Sequence, residues 1–272
     1  MKVALVTGGA TGIGAATVKA LAADNLTVAL SYSSSADAAT ELAAQLKSNG
    51  ARVEIFKADL TKPGQAEDLV SQVKSKLGGI DILINNAGFM SDASIIKMSD
   101  QLWDEAINLN LTVAFKLIRA TADEMVSKKW GRIINVSSQV ALTGSTNHAH
   151  YAAAKSGLLG LTYSAAKEFG ASGVTVNAVL PGRIETNMIS ARSIGRLDEW
   201  LSQTPLNRLG TPDEVASMIA FLVSEKASYV TGAAIIFVSI LPGSTALTVT
   251  PPAPNSFAAE YVKPNKPDFA AA

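Results

Sequence analysis

Short β-branched and apolar runs alternate with longer helical stretches along most of this chain, and only a few residues connect them. A strand, a helix and a further strand fold as a right-handed crossover. Repetition of that order demands a parallel sheet with helices on both faces. The expected strands are Lys2–Thr7, Leu26–Ser31, Arg52–Ala58, Ile80–Asn85, Gly131–Ser137, Val174–Val179 and Ala233–Val238. Several are apolar almost throughout, as strands buried on both faces are. Helices are expected from about Ile13 to Asp24, Ala36 to Asn49, Pro63 to Leu77, Asp100 to Lys128, Tyr151 to Gly170 and Thr211 to Ser224. Pro63 and Pro212 stand near helix starts, where a missing N–H does no harm, and Thr211 is a natural cap.

The first βα junction reads Thr7-Gly8-Gly9-Ala10-Thr11-Gly12-Ile13-Gly14. Gly8 allows a tight turn, and Gly12 and Gly14 let backbone amides and a helix N-terminus approach a pyrophosphate. Glycines alone would say only turn; on the first strand of an alternating chain they point to a dinucleotide. The predicted fold is therefore α/β: a doubly wound, parallel, seven-stranded sheet of the Rossmann type in a single domain, residues 1–240. The alternation lapses over 183–210, which reads as a lid over the ligand edge. Six of the ten prolines fall from Pro242 onward, so 241–272 reads as a Pro-rich tail.

Composition excludes several classes. Net charge is zero, which favours neither nucleic acid nor an anionic membrane surface. With no cysteine there are no disulfides and no thiolate chemistry. No run approaches the roughly 20 apolar residues of a spanning helix. A cytoplasmic protein is expected. His148 and His150, the only histidines, have no flanking carboxylate cluster and read as exposed loop residues; no metal is expected.

The stretch from Ser137 to Lys155 holds the acid–base chemistry. Ser137 and Ser138 follow a buried strand, at the edge where open α/β sheets bind ligands. Tyr151 and Lys155 are four apart on a helix, so they share a face. A fixed ammonium beside a phenol favours phenolate and lowers its pKa by roughly 1–3 units, toward working pH. The same spacing recurs at Tyr163/Lys167, twelve residues on, or about 120° around the helix. Only one pair can face the sheet edge. Tyr151 stands at the helix start with Ser138 thirteen residues upstream, whereas the matching position for Tyr163 is His150.

Together with Asp59-Leu60, Asn85-Asn86-Ala87-Gly88, Asn110 and Pro181-Gly182, these segments resemble, in order, the short-chain dehydrogenase/reductase family in its compact single-domain branch. The resemblance covers roughly residues 2–238. It implies reversible hydride transfer between a nicotinamide and a ketone or secondary alcohol. Tyr151 would be the general acid–base, Lys155 would bind the nicotinamide ribose and lower the Tyr151 pKa, and Ser138 would hold the reacting oxygen. Asn110 would hold a water in a proton relay to Lys155. Gly8, Thr11, Gly12, Ile13 and Gly14 would cradle the diphosphate, and Asn86, Ala87 and Gly88 would line the adenine-ribose side. Asp59 and Leu60 would meet adenine; Pro181, Gly182, Ile184 and Thr186 would meet the carboxamide and diphosphate. A homotetramer or dimer through 100–128 and 151–170 is implied. The family's Asp-Gly-Gly after the last strand is replaced here by Ser239-Ile240-Leu241-Pro242-Gly243.

Cofactor choice turns on the end of strand two, where NAD enzymes place an acid about 20 residues past the glycines. Tyr32-Ser33-Ser34-Ser35 offers hydroxyls and no acid, so NADP is expected with NAD possible, although no Lys or Arg lies nearby in sequence. Val140, His148 and Met188, with Ser138 and Tyr151, are the candidate contacts for a small carbonyl or alcohol substrate; Trp200 would touch substrate or close the lid's own core. Two rivals remain at this level: a nucleotide-sensing protein that no longer turns over, and a lyase or epimerase using bound NAD(P) transiently.

Overall fold

The computed structural model describes residues 1–186, 195, 197–202 and 204–237. These belong to one unit, Met1–Ser239. Met188 and the tail 241–272 lie outside the described residues.

The strands are β1 (Val3–Val6), β2 (Thr27–Tyr32), β3 (Arg52–Lys57), β4 (Ile82–Asn85), β5 (Gly131–Val136), β6 (Val174–Leu180) and β7 (Ala234–Ile236). They form one sheet in the order β3-β2-β1-β4-β5-β6-β7. Every pairing is parallel. Strand order reverses between β1 and β4, which opens a crevice at their carboxyl ends.

Helices α1 (Gly12–Ala23), α2 (Ala36–Ser48) and α3 (Gln65–Leu77) follow the first three strands. Beyond β4 come α4 (Asp100–Ile107), α5 (Val113–Ser127), the short α6 (Val140–Thr143) and α7 (Ala149–Phe169). The described set ends with α8 (Leu197–Ser202) and α9 (Pro212–Val223). One face buries Leu69, Val73, Leu117 and Met125 of α3 and α5, with Ala165 and Ala166 of α7. The other buries Val18, Leu21, Leu42, Val215, Ile219 and Leu222 of α1, α2 and α9. Both faces of the sheet are thus covered, which is why its strands are apolar on both sides.

Three boundaries differ from expectation for identifiable reasons. The long helix over 100–128 is interrupted by one π turn, Asn108–Thr112. In a regular α-helix the carbonyl of Ala106 takes the N–H of residue 110. Here the side-chain amide of Asn110 donates to that carbonyl at 3.0 Å, a local competitor for the ladder. Helix α3 starts at Gln65 rather than Pro63, because Gly64 caps it in the left-handed region at φ +80°. Helix α7 begins at Ala149, two residues ahead of Tyr151.

Candidate active site

The glycine turn and the β4 terminus are tied into one platform. Thr7 Oγ1 donates to Ile84 O at 3.2 Å and accepts the N–H groups of Asn86 and Ala87, each at 3.0 Å. Asn86 Nδ2 donates back to Thr7 O at 2.9 Å and Gly8 O at 3.1 Å. Gly8 and Gly12 have φ of +62° and +53°, where other residues are strained. A Cβ on Gly14 would overlap Gly8 O. The turn therefore exposes main chain to the crevice and sets the N-terminus of α1 at its floor. Thr11 caps that helix without a side-chain bond to it.

A second segment closes on this platform after β6. Ile184 pairs with Gly210 and is buried in the α1-side core, so its side chain supports rather than lines the crevice. Beyond it, Thr186 Cγ2 comes within 3.2 Å of where a Gly12 Cβ would stand. Pro181 O receives Gln139 N at 3.0 Å, joining the β5 and β6 exits, and Gly182 follows. Arg183 donates to Trp200 O at 2.9 Å and lies 5.1 Å from its ring. Trp200 is buried, in a contact within the 183–210 segment itself.

Tyr151 and Lys155 of α7, Asn110 of the π turn, Ser138 after β5 and Gly88 after β4 come from four segments and share this edge. Lys155 is buried; its Nζ donates to Val136 O at 2.8 Å and lies 5.5 Å from the Tyr151 ring centre. Burial disfavours the ammonium and pushes its pKa down from 10.5 to about 8. A Cβ on Gly88 would lie 2.5 Å from Asn110 Oδ1 and 3.5 Å from Lys155 Nζ, so only glycine lets the three meet. Asn110 Nδ2 is used by Phe89 O and Ala106 O, both at 3.0 Å, while its buried Oδ1 has no partner among the described residues. Asn85 Oδ1 is likewise buried and unpartnered. Both asparagines, with Thr7, Ala87 and Lys155, line a cavity of about 10 Å³. That is about one water, and polar groups on its wall suit one.

The two serines separate cleanly. Ser137 is buried, donating Oγ to Lys155 O at 2.7 Å, so its hydroxyl fixes α7 against β5. Ser138 is half-buried at the crevice, its Oγ at 3.4 Å from Val140 N in α6. Tyr163, in the rival pair, is 41% exposed, against 9% for Tyr151.

Other expected contacts are distributed unevenly. Tyr32 packs against the α1-side core, and Ser33 follows it, exposed. Asp59 Oδ1 accepts from Thr61 Oγ1 at 2.6 Å and Thr61 N at 3.2 Å, and these bonds hold its carboxyl below the usual range. Leu60 is buried in the core, so only its main chain can meet a ligand. Ile13 is half-buried behind the glycine turn.

The histidines overturn the expectation of exposed loop residues. His150 is fully buried in the first turn of α7, its Nε2 3.0 Å from Ser91 Oγ, and burial lowers its pKa. His148 Nδ1 is 2.9 Å from Ser145 Oγ, and its Nε2 is 2.8 Å from Asp92 Oδ1. Ala93 N donates to Asn147 O at 2.9 Å. The segments 91–93 and 145–150 are clasped beside Tyr151. Sequence reading assigned Asn85 no role of its own, and Asn135 and Thr162 did not stand out in it. Asn85 Nδ2 donates to Asn135 Oδ1 at 2.8 Å and Asn135 Nδ2 to Thr162 Oγ1 at 2.9 Å, a buried chain from the cavity to α7.

Known proteins resemble this chain over most of its length. Residues 8–238 match the family model described as enoyl-(acyl carrier protein) reductase. The 3-oxoacyl-(acyl-carrier-protein) reductase FabG of Staphylococcus epidermidis is 38% identical over 231 residues, 85% of this chain and 95% of that protein. Its counterpart in Salmonella typhimurium is 39% identical over 85% of this chain and 93% of its own. Among solved structures, a blue fluorescent protein from a metagenomic library in complex with NADPH superposes with a TM-score of 0.83 at 38% identity, covering 88% of this chain and 96% of that one. The chain belongs to the short-chain dehydrogenase/reductase family of NAD(P)-dependent oxidoreductases.

Proposed function

We propose that the protein is an NADPH-preferring carbonyl reductase whose general acid–base is Tyr151. The observation that carries this is the buried ammonium of Lys155, held at Val136 O beside the Tyr151 ring and met by no carboxylate among the described residues. A desolvated positive charge so close stabilises phenolate, and that is its use to a proton-transfer group. The nicotinamide, when bound, supplies the hydride. The glycine cradle that a Cβ on Gly14 would fill fits a diphosphate.

The residues then divide the work. Ser138 Oγ holds the carbonyl oxygen, and Tyr151 gives that oxygen its proton on reduction or takes it back on oxidation. Lys155 holds the nicotinamide ribose hydroxyls and tunes Tyr151. Asn110 and Asn85 offer unpartnered oxygens to a water in the cavity beside Lys155, a route for the replacement proton. Gly8, Thr11, Gly12, Ile13, Gly14 and Thr186 would hold the diphosphate by main chain and hydroxyl, with Pro181 and Gly182 as the carboxamide wall and Ile184 meeting the cofactor by main chain alone. Asn86, Ala87, Gly88, Asp59 and Leu60 flank adenosine, Tyr32 and Ser33 its ribose. Val140 and His148 rim the substrate. The FabG relatives suggest a 3-oxoacyl thioester as the first substrate to try. Exposed Trp103, Phe115 and Tyr163 on α4, α5 and α7 suit a homo-oligomeric interface.

Fluorescence titration with NADPH and NADH, then a carbonyl panel containing a 3-oxoacyl thioester, tests this. Tighter NADPH binding and carbonyl-dependent NADPH oxidation are expected. Tighter NADH binding, or bound NADPH with no carbonyl turnover, would sink it. Light scattering that gives the mass of a monomer would remove the oligomer.

A further inference from the structure

The register between β2 and β3 runs to the last residue of each strand, Tyr32 against Lys57. Register partners in parallel strands send their side chains to the same face of the sheet. Val53 and Ile55, at alternate positions of β3, pack into the core beneath α1 and α2, as does Tyr32. Lys57 continues that alternation at the strand's carboxyl end, so it leaves on the same side. It is exposed and has no hydrogen bond or ion pair among the described residues. The chain beyond Tyr32 is Ser33-Ser34-Ser35, with both Ser33 and Ser34 exposed, before α2 begins. A cation therefore does stand beside the end of strand two. The sequence hid it because Lys57 is twenty-five residues from Tyr32 along the chain and adjacent only through the sheet.

This strand end is where a dinucleotide-binding sheet meets the adenosine ribose. NADPH differs from NADH there by one phosphate monoester, which is close to doubly charged at neutral pH. Hydroxyls can donate to that phosphate, but a positive charge distinguishes it far more strongly from a free ribose hydroxyl. The one acid nearby in sequence, Asp37 in the first turn of α2, opposes a phosphate. A counter-charge is needed against it.

We propose that Lys57 is the residue that reads the 2′-phosphate and sets the preference for NADPH over NADH. The assignment rests on the NADPH reading above. Wild type, Lys57→Gln and Lys57→Arg are titrated with NADPH and with NADH at low and high salt. Lys57→Gln should weaken NADPH by about tenfold or more, change NADH by less than about twofold, and flatten the salt dependence of NADPH binding. Lys57→Arg should keep the preference. If wild type prefers NADPH and Lys57→Gln leaves the ratio unchanged, or weakens both cofactors alike, Lys57 is not the reader. If wild type prefers NADH, the NADPH reading itself fails, whatever the variants do.

Discussion

At the amino edge of the sheet, two cations stand over the Trp130 ring: Lys2 Nζ at 3.2 Å and the Arg132 guanidinium at 4.4 Å from ring centroids. Its indole Nε1 donates to Glu225 Oε1 at 3.1 Å, and that carboxylate also pairs with Lys2 at 2.7 Å. Nearby, Asp81 accepts from Val3 N at 2.9 Å and pairs with Lys128 at 3.1 Å; Lys128 in turn pairs with Glu124 at 2.7 Å. Charges there meet charges. At the carboxyl edge Lys155 meets a carbonyl, two buried asparagine oxygens face a cavity unpartnered, and glycines hold the main chain open. The amino edge also buries atoms without a hydrogen-bond partner, Arg132 Nε and Thr175 Oγ1, but its charges meet opposite charges, whereas Lys155 meets none among the described residues. The difference separates what the fold needs from what a ligand is expected to complete.

The largest effect expected lies at the carboxyl edge. Tyr151→Phe keeps the ring in its buried place and removes only the hydroxyl. Turnover should fall by roughly 10²–10⁴, the usual worth of a positioned acid–base group. NADPH affinity should stay within about threefold, since the nearby Lys155 remains. Steady-state rates and a binding titration on the same preparation test both halves, and full activity in the variant would remove Tyr151 from the mechanism.

Next comes the cost of keeping Lys155 buried without a counter-charge. Its pKa in the folded protein is about 8, against 10.5 ordinarily. Below pH 8 the lysine is charged in both states, and folding bears the full desolvation. Between about 8 and 10.5 the unfolded chain binds more protons, so stability rises with pH through that window. Lys155→Met should therefore stabilise the cofactor-free protein at pH 7 by about 2–3 kcal/mol while abolishing turnover. The gain should shrink as pH rises from 8 to 10.5. Urea unfolding at pH 7 and at the top of that window measures it. A variant less stable than wild type at pH 7 would mean that the Val136 bond outweighs desolvation.

These contrasts also explain what could be read from the chain. The glycine turn from Gly8 to Gly14, and the burial of Tyr151 where Tyr163 is exposed, were legible because each depends on local spacing and on helix phase. The π turn at Asn110 was not, since the apolar period runs through 100–128 without a break and the interruption comes from one side-chain amide. Spacing to Tyr151 singled out Ser138, but the task of Ser137 was not legible until the position of α7 gave it an acceptor. His150 looked like a loop residue because its partner, Ser91, is fifty-nine positions away. Asn85, Asn135 and Lys57 take their roles from strand register, which sequence period alone does not supply.

The amino edge gives the smaller effects and the sharper control. Trp130→Leu keeps apolar bulk but removes the ring that meets both cations and leaves Arg132, which is buried, with Glu225 as its only counter-charge among the described residues. Desolvation already depresses the Arg132 pKa, so a lost ring face is felt there. A loss of about 2 kcal/mol is expected in urea unfolding. Lys2→Met removes only the outer cation, whose side chain is 40% exposed. It should cost at most about 1 kcal/mol, and less in roughly 1 M salt, because water and ions already screen that pair. Neither change should alter turnover or the NADPH-to-NADH ratio. If Lys2→Met lowers turnover at full stability, the amino edge is coupled to the crevice and the division between the two edges is wrong. If instead both variants lose stability equally, the ring acts through Lys2 rather than through the buried Arg132.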